Sequence, residues 1–382
     1  MKIYFDNAAS TRPDPAVIEE MLPYLAGHFG NPSSTHSHGR DARAVIELAR
    51  KKIAEFLGAA PSEIFFTSGG TEADNTALAG LVETFRIKNV ITSPLEHHAV
   101  LHTLQYLERT KGLNLSFLEV NENGDFNYDQ LENLLCENKD SLVSIMHANN
   151  ETGNLSDLKK ISDLCGEYKA RFHSDAVQSV GKISIDLKQT GVDSIAGSGH
   201  KFHGPKGVGF LYVRNSSRIG PYLHGGGQER NLRSGTENTA GIIGMAKALE
   251  VALSNREQTE RFILNIKKRM IDRLNSRIKD LRYNGHSGDL DKSLYTILNV
   301  SLPPSDNDLL LFQIDLKNIA VSGGSACASG ALKGSHVLGA MKVDPLRPAV
   351  RFSFSKFNTP EEVDYAVDAL AEILEGRPKS SQ

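Results

Sequence analysis

One lysine of the sequence has neighbours that suit covalent chemistry. Lys201 lies in Ser198-Gly199-His200-Lys201, just after a short apolar run that predicts a β-strand. A lysine flanked by small residues can approach a bound carbonyl compound and form a Schiff base with it. Taken alone, the segment favours a lysine in a surface loop, so its meaning depends on the residues that accompany it.

A carboxylate and an amide follow another predicted strand. Asp175 comes directly after the strand predicted over residues 171–174, and Gln178 lies one helical turn later. A carboxylate in this position can pair with a protonated pyridine nitrogen and keep that ring an electron sink. Gln178 is then placed to bond the phenolic oxygen of the ring. The structural alternative for Asp175 is a helix N-cap.

A glycine turn between a predicted strand and a predicted helix has the features of an anion site. In Thr67-Ser68-Gly69-Gly70-Thr71, the strand runs into two glycines and then into the N-terminus of the helix. Free N–H groups and the positive end of the helix dipole favour a phosphate there. The turn is not a P-loop, because no Lys-Ser/Thr pair follows the glycines. Ser198 and His200 are candidates to complete the phosphate cup.

Imidazole and amide groups follow two further strands. His97 begins a predicted helix and can stack on a flat heterocycle, while Asn150 can contact the same ring. His98 and His102 form an i, i+4 pair, but neither a HExxH glutamate nor a third ligand accompanies them, so no metal site is expected. A lysine, an anion cup, a carboxylate and an imidazole at strand ends together describe a site for pyridoxal 5′-phosphate.

The elements around these residues alternate between strands and helices from about residue 60 to 215. Strands are predicted over residues 63–67, 89–92, 115–120, 141–146, 171–174, 194–196 and 208–213, and helices over residues 71–85, 97–109, 128–137 and 155–169. This alternation, with nearly continuous apolar strands, indicates an α/β fold with a mostly parallel sheet covered by helices on both faces. Ligands of such sheets bind beyond the strand C-termini, where the candidate residues lie.

The remainder of the chain changes character. Two long helices, interrupted near Ser254-Asn255, are predicted over residues 238–280, and a compact α+β lobe follows. Its strands are predicted over residues 294–300, 319–321 and 350–354, and its helices over residues 306–316 and from Thr359 onward. We therefore expect a large domain over residues 14–255 and a small domain over residues 1–13 and 256–382.

Composition excludes several classes of protein. The chain has 382 residues with 43 basic and 46 acidic side chains, and this net charge of −3 provides no field for a nucleic acid backbone. No apolar run approaches the roughly 18 residues of a membrane span. The N-terminus lacks the pattern of a signal peptide. Three widely spaced cysteines exclude a disulfide framework. A cytoplasmic protein without direct nucleic acid or membrane binding is expected.

Several segments together resemble one enzyme family over nearly the whole chain. They are Tyr4-Phe5-Asp6-Asn7-Ala8-Ala9, Ser68 to Glu72, Glu96-His97, His147 to Gly153, His173 to Gly181, Ser198 to Gly209, His224 to Thr236 and Ser322 to Ser329. The sequence resembles cysteine desulfurases of the NifS/IscS type, which are class-V aminotransferase-like enzymes of fold type I that use pyridoxal 5′-phosphate. The resemblance implies a seven-stranded, mostly parallel sheet in the large domain and a catalytic cysteine loop in the small one.

The resemblance also implies a role for each matching residue. Lys201 corresponds to the lysine that binds the cofactor, Asp175 to the partner of the pyridine nitrogen, and His97 to the stacking imidazole. Gln178 and Asn150 correspond to ring-oxygen contacts. Asn150 is also assigned to substrate binding, together with Arg351 as the ligand of the substrate carboxylate. The phosphate ligands are Gly70, Thr71, Ser198 and His200. Thr236 corresponds to the residue that reaches the phosphate of the partner subunit, which implies a homodimer.

Cys327 is the candidate nucleophile. It lies in Ser322-Gly323-Gly324-Ser325-Ala326-Cys327-Ala328-Ser329, where small neighbours suit a mobile tether, whereas Cys136 and Cys165 have the spacing of helical core residues. The implied reaction converts L-cysteine to L-alanine and leaves a persulfide on Cys327, with His97 as candidate acceptor of the substrate thiol proton. Cys327 is also a candidate transient iron–sulfur ligand.

The destination of the sulfur stays open at this point. Acceptor proteins for iron–sulfur cluster, thio-cofactor or tRNA biosynthesis would all draw on the same chemistry. Selenocysteine lyase and class-V aminotransferase activity are alternative enzyme functions. A non-catalytic scaffold that keeps the fold is a further alternative, which the intact Lys201, Asp175 and His97 disfavour.

Overall fold

The chain folds into alternating strands and helices, followed by a mixed C-terminal lobe. The computed structural model describes residues 1–304, 309–323 and 334–376. The strands are β1 (Ile3–Tyr4), β2 (Ile64–Thr67), β3 (Asn89–Thr92), β4 (Asn114–Phe117), β5 (Ser141–Ser144), β6 (Arg171–Asp175), β7 (Ser194–Ser198), β8 (Gly209–Val213), β9 (Arg282–Tyr283), β10 (Ile297–Ser301), β11 (Ile319–Ala320) and β12 (Ala349–Ser353). The helices are α1 (Pro15–Ala26), α2 (Ser37–Phe56), α3 (Gly70–Phe85), α4 (His98–Lys111), α5 (Tyr128–Glu137), α6 (Leu158–Glu167), α7 (Leu187–Thr190), α8 (Thr239–Ser254), α9 (Arg256–Arg277), α10 (Leu310–Leu316), α11 (His336–Ala340) and α12 (Pro360–Glu375).

The large sheet has seven strands in the order β2-β8-β7-β6-β5-β3-β4. Only β8 runs against its neighbours, since it pairs antiparallel with β2 and β7 while the other pairs are parallel. Every residue of β5, β7 and β8 is buried, as expected when helices cover both faces of a sheet. The predicted α/β fold with a mostly parallel seven-stranded sheet is confirmed.

Helix boundaries follow from local capping. The helix predicted over residues 155–169 begins only at Leu158, because the Asp157 side chain accepts a hydrogen bond from Lys160 N–H and caps it. The predicted interruption near Ser254-Asn255 is present between α8 and α9. Thr359 caps the last helix and forms a capping box with Glu362, as the Thr-Pro-Glu-Glu start indicates.

The two largest hydrophobic clusters lie on either side of the cleft described below. One packs against one face of the large sheet and includes Val17, Ile53 and Phe172. The other joins β10, β12, α9 and α12 and also contains Ile3 and Phe5 from the N-terminus, because β1 pairs with β11. The domain boundaries at residues 13 and 255 stay a prediction.

One sequence-based assignment is wrong. Cys136 is exposed, whereas Cys165 is buried as expected. In α5 the buried residues are Leu131 and Leu135, which are four positions apart and form one narrow stripe. Cys136 follows Leu135 by a single position, which rotates it about 100° away from that stripe.

Across the described ranges, no helix combines the length and apolarity needed to cross a membrane.

Candidate active site

An open cleft of about 1130 Å³ lies at the C-terminal ends of the large sheet. Most of the predicted site residues line it: Gly70, Thr71, His97, Asn150, Asp175, Gln178, Ser198, His200, Lys201 and Arg351. Two predicted residues are not among its lining. Thr236 is exposed on a separate loop, and Cys327 lies outside the described residues.

Lys201 enters the cleft from the turn that follows β7. Its Nζ donates to the carbonyl oxygens of Ala8 (2.6 Å) and Ala9 (3.0 Å). The N-terminal segment is held against this turn by Thr11, whose N–H and hydroxyl both bond His200 O. The small side chains of Ala8 and Ala9 leave room for a flat ligand beside the amine.

Asp175 ends β6 and is almost fully buried at 7% exposure. Its Oδ1 accepts a hydrogen bond from Val177 N–H (2.9 Å). Burial raises the pKa of Asp175, while the hydrogen bond from Val177 N–H and the charge of Lys201 oppose that rise. A cationic ring nitrogen beside this carboxylate would oppose it further, so the site suits a protonated heterocycle.

His97 caps α4 with its ring. Its Nδ1 accepts a hydrogen bond from Ala99 N–H at 3.1 Å. The neutral imidazole therefore carries its proton on Nε2. Burial lowers the pKa of His97, and Lys201 adds to this effect while Asp175 opposes it. The ring is thus a neutral, flat donor in the cleft wall.

The anion cup predicted from the sequence lies at the start of α3. Its N-cap residue, Gly69, provides no side-chain cap, so the first N–H groups of the helix are not used by a capping side chain. A Cβ at Gly70 would come within 2.5 Å of Val177 Cγ2, so only glycine fits there. Ser198 and His200 lie beside the turn, and burial lowers the pKa of His200 to about 4, which keeps it neutral.

These observations fit pyridoxal 5′-phosphate. The anion cup suits the phosphate, Asp175 suits the pyridine nitrogen, and the Gln178 amide has a donor for the ring oxygen. Lys201 supplies the amine. No residue of this set points to a different heterocycle.

Arg351 lies on the opposite wall of the cleft and is only 3% exposed, because β12 pairs with β10 inside the small lobe. Its Nη2 contacts Asp6 Oδ1 at 2.8 Å, and its Nη1 donates to Asn150 O at 2.8 Å. Its buried Nε has no hydrogen-bond partner among the described residues. A guanidinium with unused donors in a cleft is suited to a carboxylate ligand.

Sequence reasoning missed several buried titratable groups of the cleft. Asp74 is 1% exposed, and its Oδ1 lies 3.2 Å from His173 Nε2. Burial and the nearby Asp175 raise the pKa of Asp74 well above its usual value. The available signal was its position four residues after Gly70, on the same face of α3. Lys182 likewise follows Gln178 by four residues.

The imidazole of His98 lines the cleft, stacks on His102 and lies tilted against His336. Ring centroids of His98 lie 4.8 Å from His102 and 4.6 Å from His336. Within the described ranges, no group of three or more His, Cys, Asp or Glu side chains is arranged to hold a metal ion. The residue His336 could not be linked to this site from sequence, because α11 is far along the chain.

The loop that carries Thr236 is tied to α2 and α3 by ion pairs. Glu229 accepts two hydrogen bonds from Arg50 (2.7 and 2.8 Å), and both side chains are buried. Arg233 contacts Glu72 at 2.7 Å, next to the anion cup. The loop is therefore fixed close to α3, although Thr236 itself faces solvent.

Comparisons with known proteins agree with this arrangement. The family model for class-V aminotransferases matches residues 3–366. A cysteine desulfurase IscS of Clostridium botulinum is 40% identical over 384 aligned positions, covering 100% of this chain and 96% of the relative. A cysteine desulfurase IscS of Methanosarcina thermophila is 42% identical over 377 positions, covering 98% and 92%. The solved structure of a NifS-like protein matches with a TM-score of 0.91 and 40% identity, over 98% of this chain and 100% of that one.

Proposed function

The chain belongs to the class-V aminotransferase family and to the cysteine desulfurases within it, and from that membership we propose that it converts L-cysteine to L-alanine with transfer of the sulfur to Cys327. The observation that carries the proposal is the shared cleft. Lys201, Asp175 and Gln178 line it on the sheet side, and Arg351 faces them from the small lobe.

Pyridoxal 5′-phosphate is the proposed cofactor. The anion cup at Gly70, Thr71, Ser198 and His200 would hold its phosphate, Asp175 its ring nitrogen and Gln178 with Asn150 its ring oxygen, while His97 would stack on its face. When bound, the cofactor supplies an electron sink for charge that develops at the substrate Cα.

Lys201 is the proposed general base and acid. Its amine takes the proton from the substrate Cα and returns a proton to the product, which is a role that positioned side chains commonly perform. The carbonyl groups of Ala8 and Ala9 hold the amine at the edge of the cleft. Asp175 stays ionised when a cation lies beside it and so keeps the ring nitrogen protonated.

His97 serves as a hydrogen-bond donor toward the substrate. Its Nδ1 is occupied by Ala99 N–H, so Nε2 carries the ring proton. Taking the substrate thiol proton at Nε2 would require the ring to move its own proton to Nδ1 and lose that bond. The donor role is therefore favoured over the acceptor role predicted from the sequence.

Arg351 binds the substrate carboxylate, using donors that Asp6 and Asn150 do not occupy. Asn150 O fixes the guanidinium plane, so the substrate meets a preformed partner. Bidentate pairing of this kind defines both the position and the orientation of an amino acid.

Sulfur transfer needs no external oxidant. The Cys327 sulfur attacks the substrate sulfur, the Cβ–S bond breaks, and an S–S bond forms. The electron pair of the broken bond stays with the carbon skeleton, which takes up the proton of the Cys327 thiol and becomes L-alanine. One cysteine and one thiol thus give one alanine and one persulfide.

Mass spectrometry after a single turnover tests this proposal. The purified protein is expected to be yellow, to release L-alanine from L-cysteine and to carry one additional sulfur on Cys327. Cys327→Ser should bind the cofactor but form no persulfide, while the matched variants Cys136→Ser and Cys165→Ser should behave like the parent. Persulfide on another cysteine, with Cys327→Ser fully active, would refute the assignment.

A symmetric homodimer is proposed as the active form, with Thr236 of the partner subunit closing each site. The exposure of Thr236 on a loop fixed beside α3 supports this arrangement. Inactive Lys201→Ala and Thr236→Ala chains should regain activity when mixed, since one site of each heterodimer then carries both lesions and the other carries neither. A fully active monomer, or subunit exchange without regained activity, contradicts the shared site.

Sulfur-acceptor proteins are the proposed partners, for iron–sulfur cluster, thio-cofactor or tRNA biosynthesis. The proposed compartment is the cytoplasm. Its reducing conditions keep thiols free, as a persulfide-forming Cys327 requires, and Cys136 and Cys165 carry no disulfide.

A further inference from the structure

Lys182 is a buried amine to which the proposed reaction assigns no task, and it lines a small cavity that shares Ala8 and Lys201 with the cleft. It is 9% exposed, and none of the ion pairs among the described residues involves it. Burial lowers its pKa to about 7, and the charges of Lys201 and Arg351 add to that effect. A buried amine without a carboxylate partner is unfavourable, so its hydrogen bonds must compensate for the lost hydration.

Among the described residues, Lys182 Nζ donates two hydrogen bonds, and both go to Gln178. The amine donates to the Gln178 main-chain oxygen at 2.9 Å and to its side-chain Oε1 at 3.1 Å. On the other side of the amide, Gln178 Nε2 donates to Ala8 O at 2.9 Å. The same carbonyl accepts the 2.6 Å bond from Lys201 Nζ.

These contacts determine which way the Gln178 amide points. A protonated lysine amine only donates, so the atom that faces it is the amide oxygen, as the bond to Oε1 shows. The amide NH₂ then faces Ala8 and the cleft, and its second hydrogen remains for a ligand. A phenolic oxygen on the cofactor needs a donor, whereas a reversed amide would present an acceptor and repel it.

The backbone is shaped to bring Lys182 back to Gln178. Gly181 precedes it with a φ of +77°, a conformation that favours glycine. A Cβ at Gly181 would come within 2.8 Å of Phe202 Cβ, next to Lys201. The tight turn at Gly181 therefore places the Lys182 side chain against the Gln178 amide and not in solvent.

We propose that Lys182 is a positioning residue, which holds the Gln178 amide with its N–H groups toward the cofactor ring oxygen. The inference rests on the proposed function, because it requires pyridoxal 5′-phosphate in the cleft. Lys182 acts only through Gln178, so substitution of Lys182 should change cofactor affinity only when Gln178 is present.

A double-mutant cycle on cofactor affinity tests this inference. Apo-protein of the parent, Lys182→Met, Gln178→Ala and the double variant is titrated with pyridoxal 5′-phosphate, and the absorption band of the bound form is recorded. Lys182→Met is expected to weaken binding about tenfold and to shift the band, as the loss of a charged hydrogen bond predicts. In the Gln178→Ala background, the same substitution should change affinity less than about twofold.

Lys267 offers a matched control. It is also buried, its Nζ donates to Ser293 Oγ at 2.7 Å, and burial lowers its pKa to about 7, but it lines neither the cleft nor the cavity beside Lys201. Lys267→Met should lower the melting temperature and leave both affinity and band unchanged. If Lys182→Met does not fold, Lys182→Leu replaces it, because a leucine side chain has no donor for Gln178 Oε1.

The outcomes separate this inference from the proposed function. Failure of the parent to bind the cofactor contradicts the function itself. Normal binding by the parent, with unchanged affinity in Lys182→Met or with equal losses in both backgrounds, overturns the positioning role alone.

Discussion

The two walls of the cleft are built in different ways. The strand-end wall, with Gly70, Asp175 and Lys201, comes from turns at one edge of a single sheet. The terminal wall joins the first ten residues of the chain to its last strand, through the contact between Asp6 and Arg351, which are 345 positions apart. The first wall suits a group that stays bound, and the second suits a substrate that enters and leaves.

The walls touch at Lys201. Its amine belongs to the strand-end wall but rests on Ala8 and Ala9 of the terminal wall. A variant of the strand-end wall should therefore disturb the cofactor and every substrate alike. A variant of the terminal wall should change substrate affinity and leave the cofactor spectrum as it was.

Lys201→Ala is the largest expected disturbance of the strand-end wall. Loss of the covalent attachment and of the general base should lower the rate by about 10³-fold or more. Alanine release and the absorption band report this result, and borohydride treatment of the parent should fix the label on Lys201. Activity within a few-fold of the parent would refute the assignment of Lys201.

Asp175→Asn, in the same wall, should lower the reaction rate without loss of the bound cofactor. An amide preserves the shape and the Val177 contact but cannot stabilise a protonated ring nitrogen, so the rate should fall by about 10²-fold with the cofactor retained. Cofactor content and kcat are measured together. An unchanged rate would reduce Asp175 to a capping residue.

Arg351→Lys tests the terminal wall. A lysine keeps the charge but loses the fork of donors, so KM for L-cysteine should rise about 30-fold with little change in the cofactor band. Arg347→Lys is the control, because Arg347 is also buried and pairs with Asp280 away from the cleft. A comparable KM increase in both variants would mean that Arg351 is structural.

The smallest expected effect is on the free energy of unfolding. It concerns His173 of β6, in the strand-end wall. Burial lowers the pKa of His173 to about 3, below its ordinary value. The unfolded chain therefore binds more protons at this residue as pH falls below about 6.5, and stability is lost. Between pH 7 and pH 5 this loss is about 2 kcal/mol for one histidine.

The comparison of interest is the parent against His173→Asn. Asp74 and Glu96 have raised pKa values, which contribute stability of the opposite sign on acidification, so only the difference between the two proteins isolates His173. Urea unfolding at both pH values should give a smaller decrease for the variant. An equal decrease would show that His173 does not titrate on unfolding.

Prediction from the sequence worked where a signal was local. Asp175 and Lys201 each follow a strand with a recognisable apolar pattern, and the parallel arrangement of β6 and β7 brings their ends together. The assignment of Cys136 to a core failed for a local reason too, since helical spacing alone does not say how wide the buried stripe is. Cys327 lies outside the described residues, so its role stays a prediction.

Contacts between distant parts of the chain could not be predicted in this way. The pairing of Arg351 with Asp6 depends on β12 beside β10 and on the bridge between Asp6 and Ser353. The bond from Gln178 Nε2 to Ala8 O joins residues 170 positions apart and depends on how the N-terminal segment packs beside Lys201. No residue pattern within one segment reports either arrangement.

The sequence by itself determined the order of strands and helices and the side chains that stand where the strands end, because both follow from periodicity and capping within a few residues. Only the tertiary structure decided which of these side chains share a cleft, how the Gln178 amide points and what occupies the donors of Arg351. Those features depend on burial and on hydrogen bonds between segments hundreds of residues apart, whose geometry exists only once both cores have packed.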